Sequence, residues 1–483
     1  MKAMNIILLA GLVITLANCN NSGDSDEPQV EPVAETLQVD NTTALTDYNK
    51  VIYEMNLYNF TSQGTFKAAE ARLQELRTLG VDIVWLMPIQ TRSTQGKIGN
   101  LGSPYALKNY TEVNPDHGTL DDFKAFVTKA HSLGMQVWLD WVPNHTGLDN
   151  IWVTEHKDYY EQSGGNIVHP NNYSDVYQLN YSNDNLQQAM IEAMKYWIAN
   201  ADIDGFRCDY VSSPKIPYTF WQKAIPELRS AANNKYLWML GEADFAADAK
   251  SLLSVGFDFD YAWGYHDLMK NGLGTGENAS SIITQSKNLI NNNNYTMMDR
   301  MVYLTNHDDI GNNFSANYFN YWGANVPAMT VLEFTMYGMP LLYNGQEIGY
   351  HKVQNYFNRD AINWNAPNNQ IKNTIRTLVA LRHTQPALAG GKKADRPEVK
   401  FLDVNQSSLV AYEKRKGNNV VVVVLNFAST DTPTYIIGAE EGEYEMWLDS
   451  KTIEQGPTKT TTTLKASEYI TIPAKGYMVY VKK

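Results

Sequence analysis

From residue 51 onward the chain alternates two hydrophobic periods. Short continuous apolar runs, the mark of buried strands, are separated by segments whose apolar residues recur every three to four positions, the mark of a helix with one buried face. Residues 51–58 predict a first strand and residues 66–79 a first helix, because Ala69, Leu73, Leu76 and Leu79 fall on one side of it. Gly80 supplies the stop, and residues 81–86 predict the second strand. Residues 120–133 predict a helix closed by Gly134, and residues 135–140 a third strand. Further strands are predicted at 205–209, 236–242, 257–263, 301–306 and 340–343, with helices at 186–199, 220–232, 326–337 and 371–382. Units that alternate in this way build parallel sheets, and eight of them predict an α/β fold closed as a (β/α)8 TIM barrel. The barrel is assigned to residues 48–392, more than the roughly 250 residues of a typical one, because it carries insertions.

The chief insertion, residues 146–185, follows the third strand and is rich in Asn, Tyr, Gly and His. A long polar excursion at that position reads as a functional cap. After Pro386 the helix period stops: residues 408–414 alternate, 419–427 form a continuous Val run, and 469–472 and 476–481 follow. Residues 393–483 therefore predict an antiparallel β-sandwich.

Ahead of the barrel, Lys2 precedes an apolar run over residues 6–14 that is too short to span a bilayer and reads as an export signal, residues 1–18. The run closes in Leu16-Ala17-Asn18-Cys19, which resembles a bacterial lipobox with Cys19 as the lipidated residue, although Asn18 departs from the usual small residue. Residues 19–47 are acidic, lack Lys and Arg and carry two prolines, the composition of a solvated tether. The expectation is an exported protein, lipid-anchored to the outer membrane at the cell surface or the periplasmic face. Cys19 and Cys208 are the only cysteines, one assigned to lipid and one to a strand, so no disulfide is expected. A net charge of −13 with no basic stripe excludes a nucleic-acid partner held through phosphates. The 30 Tyr and 11 Trp supply flat rings that suit sugar stacking, though most will be packing.

The chemistry gathers at strand ends. In Asp204-Gly205-Phe206-Arg207-Cys208-Asp209, strand alternation puts Arg207 and Asp209 on one face and Phe206 and Cys208 on the other. An arginine beside an aspartate holds it ionised, and an ionised carboxylate at a strand end can act as a nucleophile; a structural ion pair is the alternative. The third strand ends in Asp140, with Asn144 and His145 following, the fifth in Glu242 and the seventh in Asn306-His307-Asp308. Barrels of this type build their sites at that end of the strands. Paired carboxylates across a glycosidic bond are what sugar hydrolysis requires: one attacks the anomeric carbon, and the other protonates the leaving oxygen and then activates water.

Asp140-Trp141-Val142-Pro143-Asn144-His145, Gly205-Phe206-Arg207-Cys208-Asp209, Gly241-Glu242-Ala243 and Thr305-Asn306-His307-Asp308 resemble the four signature regions of the α-amylase family, glycoside hydrolase family 13. The order of the segments, with further likenesses at residues 80–88, 103–115 and 338–347, covers the chain from about residue 51 to 382. The resemblance implies Asp209 as nucleophile, Glu242 as general acid/base and Asp308 as transition-state stabiliser. It implies Arg207, His145 and His307 around the sugar of subsite −1, Tyr105 as the stacking platform there, Asp140 as a supporting carboxylate and Arg359 as a loop residue near the donor sugar. For the acids the alternative is a structural charge network, for the histidines a structural role and for Tyr105 simple packing. Trp141, Trp152 and Trp263 could stack on further glucose units or pack the core and rim. Glu347 could be purely structural.

Calcium is the cofactor the resemblance would bring, with Asn144 as an oxygen ligand. Gln178 stands where many calcium-dependent members carry a carboxylate, and Asp175 or Asp149 could serve a different site. Asn109 replaces an acidic residue common beside the paired tyrosines. The expected activity is retaining hydrolysis of α-1,4 bonds in starch or maltooligosaccharides, with no organic cofactor. The rivals are a cyclomaltodextrinase-like, neopullulanase-like or transglycosylating enzyme, and a silent glycan-binding or transport-accessory protein.

Overall fold

A computed structural model describes residues 49–170, 173–232, 235–243, 252–291, 300–310, 318–336, 338–389, 397–457 and 459–483. The export signal, Cys19 and the tether lie outside the described residues, as does the 392/393 boundary between barrel and C-terminal domain. Eight parallel strands close into a barrel: β1 (Ile52–Met55), β2 (Ile83–Leu86), β3 (Gln136–Trp141), β4 (Gly205–Cys208), β5 (Trp238–Gly241), β6 (Phe259–Tyr261), β7 (Arg300–Val302) and β8 (Met339–Tyr343). Each strand pairs with its sequence neighbours and β8 returns to β1, with Ile52 opposite Leu341.

Alternation along the strands sorts side chains between two cores. Ile52, Ile83, Trp85, Trp138, Trp238, Leu240, Phe259, Tyr261, Met301 and Leu341 fill the barrel, while Tyr53, Val84, Val137, Phe206, Cys208 and Met239 point outward onto the helices. Arg207 thus projects into the barrel and Cys208 away from it, as the sequence requires. Gly80 caps the helix Leu73–Leu79 in a left-handed conformation, and a Cβ there would lie 2.4 Å from Val379 Cγ1, so no other residue fits. Thr119 and Asp122 form a reciprocal capping box on the helix Leu120–Ser132.

Where the observed elements differ from the expected ones, a side chain intervenes. The first strand stops at Met55 because Asn56 accepts from the Tyr58 amide and starts a short turn of helix, Leu57–Phe60. The first helix is two pieces, Phe66–Glu70 and Leu73–Leu79, and at the break Arg72 lies over the Trp364 ring, 3.8 Å from its centroid. The seventh strand ends at Val302, because Asn306 Oδ1 takes the amides of Asp308 and Asp309 into the helix His307–Ile310.

The insertion after β3 carries its own ribbon, His145–Gly147 paired with Val176–Gln178. A second excursion, the hairpin Gln90–Arg92 with Leu107–Val113 after β2, was not expected as structure and supplies Tyr105. The C-terminal domain is a six-stranded antiparallel sheet backed by a two-stranded ribbon, so the second layer of the sandwich is small. Its Val run divides: Val420, Val422 and Val424 face the ribbon side, while Val421 and Val423 join the core shared with the barrel helices. Among the described residues no helix is long and apolar enough to cross a membrane.

Candidate active site

β3, β4 and β5 are in register at their C-terminal ends, with Arg207 opposite both Asp140 and Leu240, so the residues that follow emerge side by side. Arg207, with no solvent exposure, is the hub. Its Nη1 lies 3.0 Å from Asp140 Oδ1 and 3.2 Å from Asp209 Oδ1, and its Nη2 is 3.0 Å from Glu242 Oε2. Its Nε donates to the Tyr261 hydroxyl at 2.9 Å. Trp85 and Tyr261 present ring faces to the guanidinium.

One guanidinium cannot neutralise every acid around it. Burial pushes Asp140 and Asp209 up to about 6, even though Arg207 pulls both down. Glu242 rises further, to about 8, through burial first and then the nearby charges of Asp209 and Asp308, against the pull of Arg207. The pattern separates the two catalytic candidates: near neutral pH Asp209 is ionised while Glu242 holds a proton. The Tyr210 amide donates to Glu242 Oε2 at 2.6 Å, from a residue with φ +42°. That left-handed turn is strained for a tyrosine, directly after the nucleophile candidate.

His307 stacks on Tyr105 at 5.3 Å, its Nε2 2.8 Å from the Tyr105 hydroxyl and 3.5 Å from Asp308 Oδ1. The Tyr105 hydroxyl donates to Asp140 Oδ2 at 3.0 Å, as does Trp85 Nε1 at 3.3 Å. Asp308 keeps about a third of its side chain exposed, and Asp209 about an eighth, so both face the open mouth. His145 is kept neutral by burial, which lowers it to about 4, and it sits beside Tyr105 with Nδ1 3.2 Å from Asn144 Nδ2. Arg359 is half-exposed over the Tyr58 ring, which follows the C-terminal end of β1, and lies 3.9 Å from Asp116. Trp141 is wholly buried and Trp152 packs on Tyr110, so both belong to the core and its margin. Glu347 is structural, bonded to the Tyr53 hydroxyl and the Gly345 amide.

The residues around Asn144 do not fit a calcium ion. Gln178 Nε2 donates to Asn144 O at 2.8 Å, to Asn144 Oδ1 at 3.3 Å and to Leu179 O at 3.2 Å, and Ser213 Oγ donates to Asn144 Oδ1 at 2.7 Å. A cation at this point needs converging lone pairs; here an amide NH2 group occupies the convergence and satisfies the oxygens itself. Asp149 is taken by Thr94 and by Lys108 at 3.7 Å. Among the described residues no group of three or more His, Cys, Asp or Glu side chains is arranged to hold a metal.

The catalytic-domain description of the alpha-amylase family matches residues 24–178 and 169–396, and its C-terminal all-beta domain matches residues 402–483. The chain belongs to the alpha-amylase family. Its relatives in that family include an alpha-amylase, a cyclomaltodextrin glucanotransferase and maltosyltransferases. Among its relatives is the alpha-amylase MalA of Haloarcula japonica, 26% identical over 411 residues that make up 82% of this chain and 58% of that protein. A cyclomaltodextrin glucanotransferase of Klebsiella oxytoca is 24% identical over 501 residues, 88% of this chain and 74% of that enzyme. The chain thus spans between about three fifths and three quarters of the length of these two relatives. The crystal structure of a maltogenic alpha-amylase, AmyB, from Thermotoga neapolitana superposes with a TM-score of 0.74 at 26% identity, covering 90% of this chain and 98% of that one.

Several site residues lie outside the four signature segments. Glu54, Tyr261 and Trp85 line the mouth or brace Arg207, and Gln178 and Ser213 tie the insertion to the loop after Asp209. Trp85 lies in the likeness at residues 80–88, Gln178 stands where a carboxylate was expected, and Glu54 is a charged residue inside an apolar run; Tyr261 and Ser213 left no such trace.

Proposed function

We propose that this alpha-amylase family member is a retaining α-glucan hydrolase that cleaves α-1,4 bonds of starch or maltooligosaccharides. The observation that carries the reading is the single Arg207 guanidinium bound to Asp209 on one nitrogen and Glu242 on the other. Carboxylates held by adjacent nitrogens of one group are close neighbours, which suits the spacing of about 5 to 5.5 Å of retaining enzymes better than the wider inverting one. Asp209 Oδ attacks the anomeric carbon while Glu242 delivers its proton to the departing glycosidic oxygen. The resulting glycosyl ester is then opened by water, which returns a proton to Glu242. Asp308, beside His307, binds ring hydroxyls and favours the flattened oxocarbenium geometry. His145, neutral and adjacent to Tyr105, completes the wall around the sugar.

A second reading, transfer of the glycosyl group to a sugar acceptor, is favoured by the similarity to a cyclomaltodextrin glucanotransferase. Product analysis on amylose, pullulan and cyclodextrin separates the two. Hydrolysis gives reducing ends in proportion to bonds broken, and transfer gives chains longer than the substrate. Asp209→Asn serves as the control: turnover by that variant overturns both readings, and with it the case against a silent glycan binder. Working without a cation at Asn144 and outer-membrane anchoring through Cys19 are further parts of the proposal. The second rests on the apolar run before Cys19; a Cys19→Ser protein that remains in the membrane fraction sinks it.

A further inference from the structure

The mechanism above gives no role to Glu54, a buried carboxylate at the mouth. Glu54 stands on β1, has no solvent exposure, and pairs through Oε1 with His307 Nδ1. Its Oε2 has no hydrogen-bond partner among the described residues. A buried carboxylate with idle acceptor capacity is costly unless it acts on a neighbouring charge.

The other side of the ring explains what it acts on. His307 Nε2 faces the Tyr105 hydroxyl at 2.8 Å, and that hydroxyl has one proton, directed at Asp140 Oδ2, which is 3.0 Å away. Turning the proton toward the imidazole would leave the phenol oxygen and a carboxylate oxygen confronting each other with lone pairs. The hydroxyl therefore accepts from Nε2–H, and Nδ1 faces the Glu54 carboxyl, which accepts from Nδ1–H in its ionised form; burial raises that carboxyl, while the ring and Arg207 pull it down. A histidine with an acceptor on each nitrogen is an imidazolium.

We propose that Glu54 is the positioning residue that orients His307 and keeps both its ring nitrogens protonated, so that the ring offers a fixed donor and a positive charge to a sugar bound against Asp308. The inference rests on the glycosidase reading of the mouth for its substrate, but not for the state of the ring. The charged groups around the ring come from several elements: Glu54 on β1, Asp140 on β3, Arg207 and Asp209 at β4, and Asp308 on its own helix. The phenols of Tyr105 and Tyr356 close two further sides. Burial and Arg207 work against a charged ring, Asp308 and Glu54 outweigh them, and the imidazole is pushed up to about 9. With Glu54 in place the imidazolium also offsets part of the negative charge gathered around Glu242, so the two carboxylates that face the sugar do not stand against Arg207 alone.

The test reads the ring directly. In the full chain with 15N-labelled histidine, the His307 signals are assigned by their loss in His307→Gln. Both nitrogens are expected to be protonated near about pH 7.5, above the ordinary histidine range. Glu54→Gln removes the negative partner, which disfavours the charged ring, so the titration midpoint should fall by about one pH unit or more. kcat should fall about tenfold or more with KM changed less; Glu54→Asp should recover part of both the midpoint and kcat. A neutral His307 ring in the wild-type protein overturns the proposal, and so does an unchanged midpoint in Glu54→Gln. Should Glu54→Gln fail to fold, the wild-type spectrum alone decides. Turnover by Asp209→Asn would sink the glycosidase reading and leave the ring's protonation where the spectrum puts it.

Discussion

Asp204 and Asp209 bracket the same strand, β4, and they teach what burial does to one residue type at opposite ends of a barrel. At the N-terminal end Asp204 Oδ2 accepts from the Val137 amide and from His131 Nε2, both at 2.8 Å, and Lys235 lies 3.1 Å from Oδ1. Burial raises its carboxyl, but those hydrogen bonds and charges bring it below the ordinary carboxylate range. Asp82, at the same end, is held by the Val51 amide and His383 Nε2, each at 2.8 Å. At the C-terminal end Asp140, Asp209 and Glu242 share one arginine and are all raised. Acids supplied with donors stabilise the fold. Acids crowded with their own kind hold protons where chemistry can use them.

The sharpest way to break that contrast is Glu242→Gln. Loss of the proton donor should lower kcat on unactivated glucans by about 10²- to 10⁴-fold, measured by reducing-end release, while substrate still binds. The same change should stabilise the protein. Glu242 has its folded value raised from 4.5 to about 8, so the stability it contributes is full below about 4.5 and is lost as pH rises through about 8. Glutamine mimics the protonated form, and the Tm advantage of the variant should grow over that window and level off above it. A variant no more stable than wild type at pH about 9 would mean that Glu242 is not strained by its neighbours.

Asp204→Ala should do the reverse. It leaves the Val137 amide and His131 without an acceptor and should cost about 2–4 kcal/mol by denaturant titration, with kcat per folded molecule unchanged. A depressed carboxyl gives stability that is present above its ordinary value and lost as pH falls through the folded one, so the cost should shrink in acid. A large loss of kcat in folded Asp204→Ala would erase the distinction between the two ends.

A smaller effect is the shape of the pH profile. kcat/KM should rise with ionisation of Asp209 near about 6 and fall with deprotonation of Glu242 near about 8. Asp209→Glu, where activity survives, should move the acid limb and not the alkaline one. The smallest expected change is none at all: chelation of divalent cations should leave Tm and activity where they were, because the Gln178 amide fills the place of a cation at Asn144. Gln178→Glu, which replaces that donor with lone pairs, should make Tm rise with added calcium. A wild-type Tm that falls on chelation would refute this account of the Asn144 site.

The motif residues were readable because local sequence fixes them. Strand alternation alone puts Arg207 inward and Cys208 outward, and the four acids follow strand ends whose positions come from hydrophobic period. Arg359 shows the limit of that logic, since no strand period predicts its loop, which sets it over Tyr58 and near Asp116. The Val run from 420 to 424 reads as one buried strand, yet which alternate valines meet the barrel helices and which meet the small ribbon depends on what packs on each face. Glu54 meets His307 across 253 positions of sequence, and Gln178 meets Asn144 from a ribbon that no period in the insertion announced.

The sequence by itself determined the order of elements, the inward faces of the strands and which acids stand near the strand ends, because each of these is set by residues only a few positions apart. Closure of the barrel decided the rest. Only when β1 returns beside β8 does Glu54 reach the histidine after β7, and only when β3, β4 and β5 stand in register does one guanidinium have three carboxylates to divide itself among. Protonation at the mouth follows from that crowding, which is a property of distances in space and not of spacing along the chain.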